Sequence, residues 1–279
     1  EQVEYLKEGE GIFDRLASRR ESPNIPIRRL YIFLHNADLE RDWYYSEEFW
    51  DGYLSLLAKS RYNEFNIVFG HQTSYLIPIY PYLFDIEEYP DVYVEGLSKE
   101  ERTKNLGMLQ FISNLARERG ITFFIGIWQS KVWDAAHVMR EQESKVHGID
   151  DNMLRDFTRQ GILKLLRLCP AIEGLQLRMN VESGLDDQSF FRDVFVEAIK
   201  DCGREVKVEL RNWGLEQETL DSFLNVCPNL TVSFKYFAEH QGMPYQPVQM
   251  RFSYSYDSLL RNNRKYEVFW HLWNLGTHR

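Results

Sequence analysis

The stretch IEGLQLRMNVESG, residues 172–184, begins as a run typical of a buried strand and ends in polar residues and a glycine. It follows DDNMLRDFTRQGILKLLRLCP (150–170), whose apolar residues recur at helical spacing and whose last proline ends the helix. It precedes DQSFFRDVFVEAIKDCG (187–203), which has helical spacing again. A helix, a short strand and a second helix in direct succession indicate one unit of an alternating α/β fold.

The same rhythm extends to both sides of this unit. Further strands are predicted at RLYIFLH (29–35), EFNIVFGHQ (64–72), ITFFIGIWQ (121–129), EVKVELRNWG (205–214), NLTVSFKYF (229–237) and YEVFWHLWN (266–274). Further helices are predicted at residues 46–63, 98–120, 216–228 and 255–263. Ser46 and Ser98 are the expected N-caps of two of these helices, and Glu101 completes a capping box with Ser98. Strict alternation predicts parallel strands joined by right-handed crossovers.

Two α/β architectures fit this alternation, a doubly wound sheet and a (β/α)8 TIM barrel. No glycine-rich phosphate turn follows the first strand, and polar and aromatic residues follow nearly every strand instead of gathering at one switch point. Seven units in about 250 residues match the dimensions of a barrel that lacks one unit. We therefore predict a (β/α)8 TIM barrel that is incomplete at the C-terminus, with seven of eight strands and the eighth beyond Arg279.

The chain is predicted to divide near its first strand. Residues 1–28 are expected to form an N-terminal helix and a linker that belong to a preceding domain, and residues 29–279 a truncated catalytic barrel. The sequence begins with Glu1 and shows no signal peptide, so we expect a fragment of a longer protein. Its compartment therefore stays open, with a periplasmic or secreted protein among the options.

Composition narrows the class of protein and its partners. With 27% charged and 44% hydrophobic residues, the chain reads as an ordinary globular protein. A net charge of -9 argues against nucleic acid or an anionic membrane surface as partner, and no apolar run is long enough to span a bilayer. Cys169, Cys202 and Cys227 have neither disulfide-framework nor zinc spacing and are expected to be small buried apolar residues. The oligomeric state is not indicated.

Polar and aromatic side chains follow most of the predicted strands. In a barrel, the C-terminal ends of all strands meet at one face, so these residues are expected to form one set. Amides, imidazoles and indoles together suit a polyhydroxylated ligand, because ring faces pack on sugars while polar tips bond hydroxyls. Arg211 and Lys235 add positive charge, which points to an acidic group such as a uronic carboxylate. The predicted substrate-binding residues are His35, His71, Gln72, Trp128, Gln129, Asn180, Arg211, Asn212, Trp213, Lys235, Tyr236, His240, His271 and Trp273.

Two carboxylates stand just past strand ends. Hydrolysis of a glycosidic bond usually needs one protonated carboxyl for the leaving oxygen and one ionised carboxylate to activate water or to attack. Glu182 and Glu239 are two strands apart around the predicted ring, and we expect them to form this catalytic pair. Their separation, which decides between inversion and retention, stays open. Other acidic residues after the first strand, Asp38, Glu40 and Asp42, are predicted to lie in a solvated loop.

Three segments together resemble a known family. RMNVESG (178–184), VELRNWG (208–214) and SFKYFAEHQG (233–242) are similar to the stretches that follow the fourth, fifth and sixth strands in the α-glucuronidase family of glycoside hydrolases. The resemblance covers roughly residues 172–242 and implies the barrel fold and activity of that family.

The resemblance also implies roles for individual residues. Glu182 looks like the general acid and Glu239 like the base, with Arg211, Asn212 and Lys235 in the binding wall. This sequence departs from the family pattern, because Glu182 precedes the serine that it follows in the family, and because the family's second base has no clear equivalent after the fifth strand. We therefore expect a distant relative within the barrel hydrolases, with the exact sugar left open.

The sequence thus predicts a glycoside hydrolase that removes a terminal, acidic sugar from a plant or algal oligosaccharide or polysaccharide by carboxylate acid/base catalysis. No cofactor and no metal are expected, since His71, His240 and His271 match no zinc spacing. Two alternatives stay open. One is a hexosaminidase-type barrel in which the substrate's own acetamide attacks, so that Glu182 alone is essential. The other is a barrel that binds glycans without cleaving them.

Overall fold

The computed structural model describes residues 22–34, 37–69, 81–131, 146–179, 183–185, 187–212, 214–235, 241–243, 246–247 and 266–271. The main sheet has seven strands: β1 Arg29–Leu34, β2 Glu64–Phe69, β3 Thr122–Ile127, β4 Ile172–Leu177, β5 Lys207–Arg211, β6 Thr231–Lys235 and β7 Glu267–His271. They lie side by side in chain order, and every neighbouring pair is parallel. The predicted strand order and direction are confirmed, with β1 and β7 at the two edges.

Helices follow the strands as the alternation predicts. Their bounds are α1 Ala37–Tyr44, α2 Glu47–Lys59, α3 Lys99–Glu118, α4 Leu154–Leu168, α5, made of Ser189–Phe191, the π-helical turn Arg192–Val196 and Glu197–Asp201, and α6 Gln217–Leu224. Ser46 caps α2 by accepting a hydrogen bond from the backbone of Phe49 (3.1 Å). Ser98 and Glu101 form the predicted capping box at the start of α3. The described residues do not test two predictions. One is the helix at 255–263. The other is the domain boundary at 28/29, because most of its N-terminal side consists of residues 1–21, which lie outside the described residues.

One expectation about a loop is wrong. Asp38, Glu40 and Asp42 lie within α1, which directly follows β1. The apolar spacing misleads here because Leu39 is exposed, whereas Glu40 and Tyr44, one turn apart, are buried. A short helix whose inner face carries a carboxylate has no hydrophobic periodicity to reveal it.

The outward side chains of the strands form the main hydrophobic core with the helices. Successive side chains of a strand point to opposite faces, and on every central strand one of the two sets is apolar. This set contains Leu34, Phe65, Ile67, Phe69, Phe123, Ile125, Ile127, Leu175, Leu177, Val208, Leu210, Val232 and Phe234. Helix residues such as Trp50, Leu109 and Phe191 pack against it. Cys169 and Cys227 are buried in the same core as expected, whereas Cys202 is only partly buried against it; burial raises the pKa of the Cys169 and Cys227 thiols to about 12.

The inward side chains show that the sheet is curled into a barrel wall. Arg29 on β1 donates hydrogen bonds to Glu64 on β2 and also to Glu209 on β5, four positions along the sheet. In a flat sheet with strands about 4.8 Å apart, these two positions would lie much farther apart than one ion pair. Seven parallel strands that curl around a shared interior, with helices outside, form an incomplete (β/α)8 barrel.

Two antiparallel strand pairs were not predicted. Tyr93–Val94 pairs with Val146–His147, and Gln241–Met243 pairs with Gln246–Pro247. The first pair joins two connections between the main elements, the second lies within the connection after β6, and neither extends the barrel sheet. Among the described residues, no helix has the length and apolar character needed to cross a bilayer.

Candidate functional site

Two arginines meet one indole just past the C-terminal ends of the central strands. The guanidinium carbons of Arg178 and Arg211 lie 4.8 and 4.7 Å from the ring centroid of Trp128. Phe33 contacts the same indole edge-on, with ring centroids 4.6 Å apart. The three polar side chains are almost completely buried, with exposed fractions of 1% for Trp128, 3% for Arg178 and 2% for Arg211. We call Trp128, Arg178 and Arg211 the arginine–indole cluster.

Strand register brings the cluster together. Gln176 on β4 pairs with Glu209 on β5, so Arg178 and Arg211 are the next inward residues on two adjacent strands. The ladder continues past β4, because the backbone N–H of Arg178 donates to Ile127 (3.2 Å). Arg178 and Arg211 thereby come from adjacent strands to one indole, at the end of the barrel where active sites of this fold lie.

A polar column supports the cluster from below. Gln176 accepts hydrogen bonds from the Trp128 indole N–H (2.7 Å) and from Asn66 (2.9 Å) at its Oε1. Its Nε2 donates to Glu209 Oε1 (2.7 Å), and Glu209 also accepts from Arg29. All of these side chains are buried in the barrel interior. The column therefore fixes the indole, and with it the two arginines, relative to the strands.

At its lower end, the polar column finishes in a second carboxylate. Glu64 accepts from Arg29 Nη2 (2.6 Å) and Nε (2.8 Å), and its other oxygen lies 3.6 Å from Lys207 Nζ. The Arg29 guanidinium is also 3.8 Å from the ring centroid of Phe124. Arg29 thus lies between two carboxylates and above an aromatic ring, which compensates for its burial.

The loop that follows β4 is tied to the loop that follows β3. The carbonyl of Ser183 accepts from the backbone N–H groups of Ser130 (2.9 Å) and Lys131 (3.3 Å). Gly184 has φ +83°, and a Cβ there would lie 2.8 Å from the Lys131 carbonyl oxygen. Only glycine combines this conformation with so close an approach. Ser183 and Gly184 are therefore anchored to the loop after β3.

A second tie connects the loops after β4 and β5. The side chain of Gln188 donates to the carbonyl of Gly214 and accepts from the backbone N–H of Glu216 (3.0 Å). Nearby, hydrogen bonds from Ser189 lower the pKa of Asp187, which also pairs with Arg155 on α4 (2.9 Å). Three successive strand-end loops are thus held to one another and to the helix layer.

The predicted site residues fall into three groups. Trp128, Gln129, Arg211 and Asn212 are described; Trp128 and Arg211 meet in the cluster, and Gln129 and Asn212 follow directly on their strands. Lys235 and His271 are paired at the ends of β6 and β7, where only their backbones are described. The remaining predicted residues lie outside the described residues, and their roles stay predictions: His35, His71, Gln72, Asn180, Glu182, Trp213, Tyr236, Glu239, His240 and Trp273.

Sequence reasoning missed Arg178 and the polar column. The signal was present in QLRMN (176–180), where Gln176, Arg178 and Asn180 alternate with apolar residues. The stretch 172–184 begins like a buried strand, and the prediction assigns only Asn180 and Glu182, at its end, to the site. The same alternation in KVELR (207–211) marks Glu209. Among the described residues, no three His, Cys, Asp or Glu side chains are grouped as a metal ion would require.

Comparison with known proteins identifies the fold. No protein-family model and no curated protein sequence matches the chain. A GH138 enzyme targeting pectin rhamnogalacturonan II superposes with a TM-score of 0.59 at 18% identity, over 79% of this chain and 27% of the enzyme. A GH20 β-N-acetylhexosaminidase from Streptomyces coelicolor A3(2) gives 0.49 at 13% identity, over 90% and 60%. At such identities, the first match shows a shared barrel fold, and the chain spans little more than a quarter of that enzyme's length.

Proposed function

We propose that this chain carries the site of a glycoside hydrolase that acts on an acidic, uronic sugar of a glycan. The observation that carries the proposal is the arginine–indole cluster at the C-terminal end of the barrel. One solved structure that shares the fold is that of a GH138 enzyme targeting pectin rhamnogalacturonan II, and this makes a pectic glycan the first substrate to test.

The cluster suits a carboxylate for electrostatic reasons. Arginine presents a planar fork of N–H donors that fits a carboxylate with two parallel hydrogen bonds. Because Arg178 and Arg211 are buried, their attraction to an anion is less screened than it would be at the surface. A uronic sugar would therefore bind more tightly than the neutral sugar of the same shape.

Trp128 takes a supporting part in this scheme. Its ring lies against both guanidinium groups and is almost completely buried, and its N–H is bound by Gln176. We propose that it orients the two arginines, whereas the sequence had suggested a platform for a sugar ring. The cation–π contacts restrict how the guanidinium groups can rotate, which reduces the entropy lost when a ligand binds.

The reaction is assigned to Glu182 and Glu239. Glu182, as the acid, would donate its proton to the glycosidic oxygen while the bond to the anomeric carbon breaks. Glu239 would either remove a proton from the attacking water or attack the anomeric carbon itself; in the second case, water deprotonated by Glu182 would then hydrolyse the glycosyl ester and free Glu239. Glu182 directly precedes Ser183 and Gly184 in the chain, and these two residues are anchored to Ser130 and Lys131, shortly after Trp128, which supports this assignment.

Release of a sugar from a glycan tests the proposal. The protein is incubated with rhamnogalacturonan II and with oligosaccharides that end in galacturonate or glucuronate, and released monosaccharides are separated by anion-exchange chromatography. We expect release of the uronic sugar, with rates reduced about 10²- to 10⁴-fold in Glu182→Gln and in Glu239→Gln. Glu48→Gln, which alters an exposed carboxylate on α2, is the control and should keep the wild-type rate.

Other outcomes separate the alternatives. Cleavage only of acetamido sugars, abolished by Glu182→Gln but not by Glu239→Gln, would identify the substrate-assisted mechanism instead. Tight binding of a glycan with no product, unchanged in Glu182→Gln, would identify a binding barrel. Release of neutral sugars alone would contradict the assignment of an acidic substrate.

A further inference from the structure

A pair of connecting strands lies at the rim of the barrel end that holds the arginine–indole cluster. The strands are Tyr93–Val94, which comes shortly before α3, and Val146–His147, which comes shortly before α4. In an alternating barrel, each helix begins near the C-terminal end of the strand that it follows. The two short strands are therefore on the same face as the candidate site, outside its centre.

This pair presents a fixed and exposed aromatic surface. Tyr93 is 54% exposed, and its ring stacks on the imidazole of His147 with centroids 5.0 Å apart and planes inclined by 21°. The Nε2 of His147 lies 2.8 Å from Glu95 Oε2, so the imidazole is itself held. We call Tyr93, His147 and Glu95 the rim stack.

Local packing keeps the tyrosine outside. Val92 and Val94, on either side of Tyr93, are both buried in the body of the protein, so the strand cannot turn the phenol inward without exposing them. Gly148 adopts φ +77°, and a Cβ there would lie 1.9 Å from the carbonyl oxygen of Asp91. The two strands therefore fit together in one arrangement. Because the Tyr93 ring is already held in place, a ligand that binds it loses no free energy to ordering this segment.

We infer that the rim stack is an accessory subsite for a neutral pyranose of the glycan, several sugars away from the bond that is cleaved. One ring face of Tyr93 is occupied by His147, and the exposed remainder of the ring suits the apolar C–H face of a sugar. Glu95 and the phenol oxygen provide polar partners for hydroxyl groups. The inference rests on the proposed function, because it assumes a glycan as substrate.

Charge selects a neutral sugar for this subsite. The rim stack itself contains the exposed carboxylate of Glu95, and the exposed Asp91 and Asp150 lie two and three residues from Tyr93 and His147 in the sequence. A uronic sugar stacked on Tyr93 would bring its own carboxylate close to these groups, which repel it. The barrel centre, with Arg178 and Arg211, has the opposite preference. A glycan with an acidic sugar at the cleaved end and neutral sugars farther along would match both.

Affinity electrophoresis tests the subsite independently of cleavage. The probes are galactan and xyloglucan, which are neutral, and polygalacturonate, which is acidic. We expect the neutral polymers to retard the wild-type protein, and Tyr93→Ala and His147→Ala to weaken this retardation about 3- to 10-fold. Tyr93→Phe should retain most of it. Leu56→Ala, which removes an exposed apolar side chain from α2, is the matched control and should behave as wild type.

The outcomes distinguish this inference from the proposed function. If neither neutral polymer retards the wild-type protein, or if Tyr93→Ala is retarded like wild type, the subsite is refuted whether or not a uronic sugar is released. If Tyr93-dependent retardation is present but no uronic sugar is released from any glycan, the subsite holds and the proposed reaction fails. If Tyr93→Ala weakened the retardation by polygalacturonate more than the retardation by the neutral polymers, the assignment to a neutral sugar would be overturned.

Discussion

The two faces of one strand have different tasks in this molecule. On β4, Leu175 and Leu177 face outward and pack in the hydrophobic core, whereas Gln176 and then Arg178 face inward and belong to the polar column and the arginine–indole cluster. On the outward face, one apolar side chain can take the place of another, because the stabilisation from burying apolar area does not depend on direction. The inward residues depend on defined partners and distances. The outward face therefore stabilises the fold, and the inward face specifies the site.

The inward face contains buried charged side chains, which require hydrogen-bond partners that the outward face does not need. Removing Arg29, Glu64 and Glu209 from water costs more free energy than their mutual attraction returns unless their hydrogen bonds are well satisfied. Here each carboxylate has at least two partners, and Arg29 bridges both of them. Such a network is poor as a means of stability and good as a means of fixing geometry, which is consistent with a site built directly above it.

The largest expected effect comes from breaking the network. Glu209→Leu removes the carboxylate between Arg29 and Gln176 and leaves the guanidinium with one carboxylate fewer in the barrel interior. We expect the free energy of unfolding to fall by about 4 kcal/mol, measured by denaturant titration. Glu218→Leu, at an exposed position on α6, should change it by less than about 1 kcal/mol. A neutral effect of Glu209→Leu would show that the column does not depend on its charges.

The outward face gives a slightly smaller effect of a different origin. Leu175→Ala leaves a cavity between β4 and the helices, and we expect a loss of about 3 kcal/mol in the free energy of unfolding. The arginine–indole cluster should be undisturbed, so binding of an acidic sugar should stay near its wild-type strength. If Leu175→Ala weakened the binding of an acidic sugar but left the free energy of unfolding unchanged, the separate roles of the outward and inward faces would be contradicted.

Close packing inside the barrel is tested by adding one methyl group. A Cβ on Gly174 would lie 2.1 Å from the ring of Phe124, on which Arg29 rests. Gly174→Ala is therefore expected to cost about 2 kcal/mol through displacement of the ring. Gly52→Ala on α2 is the control: no atom lies within 4 Å of its Cβ position, and better helix propensity should raise stability by about 0.5–1 kcal/mol.

The smallest effect concerns the helix layer and depends on pH. The backbone and hydroxyl of Ser98 donate hydrogen bonds to Glu101 and lower the pKa of its carboxyl. A lowered pKa in the folded state gives stability that is present above the unfolded pKa of about 4.3 and is lost as pH falls through the folded value. Ser98→Ala should cost about 1 kcal/mol at pH 7 and clearly less at pH 3, by thermal unfolding at both pH values. An equal loss at both would contradict an ionised capping box.

The order and direction of the strands could be predicted from sequence because the alternation of elements leaves few topologies. The site could be predicted only in part. Trp128 and Arg211 each stand at a strand end, which is why the sequence assigns both to the predicted site, whereas Arg178 lies in a segment that begins like a buried strand. Arg178 can be connected to the site only through the strand register, which places it on the strand next to that of Arg211, 33 residues later in the chain. The rim stack depends on two connections that pair across the barrel rim, for which no local pattern exists.

The measurement that tests the account most directly is a calorimetric titration of the protein with galacturonate and glucuronate, each compared with galactose and glucose. We predict that the uronic sugars bind and that their neutral counterparts bind at least about 10-fold more weakly. Arg178→Met and Arg211→Met should each reduce the affinity for the uronic sugars about 10- to 100-fold, whereas Arg117→Met, at an exposed position on α3, should not. Equal affinity for charged and neutral sugars, or uronate binding unchanged in both cluster variants, would contradict the claim that the inward face of this barrel is built to bind an acidic sugar.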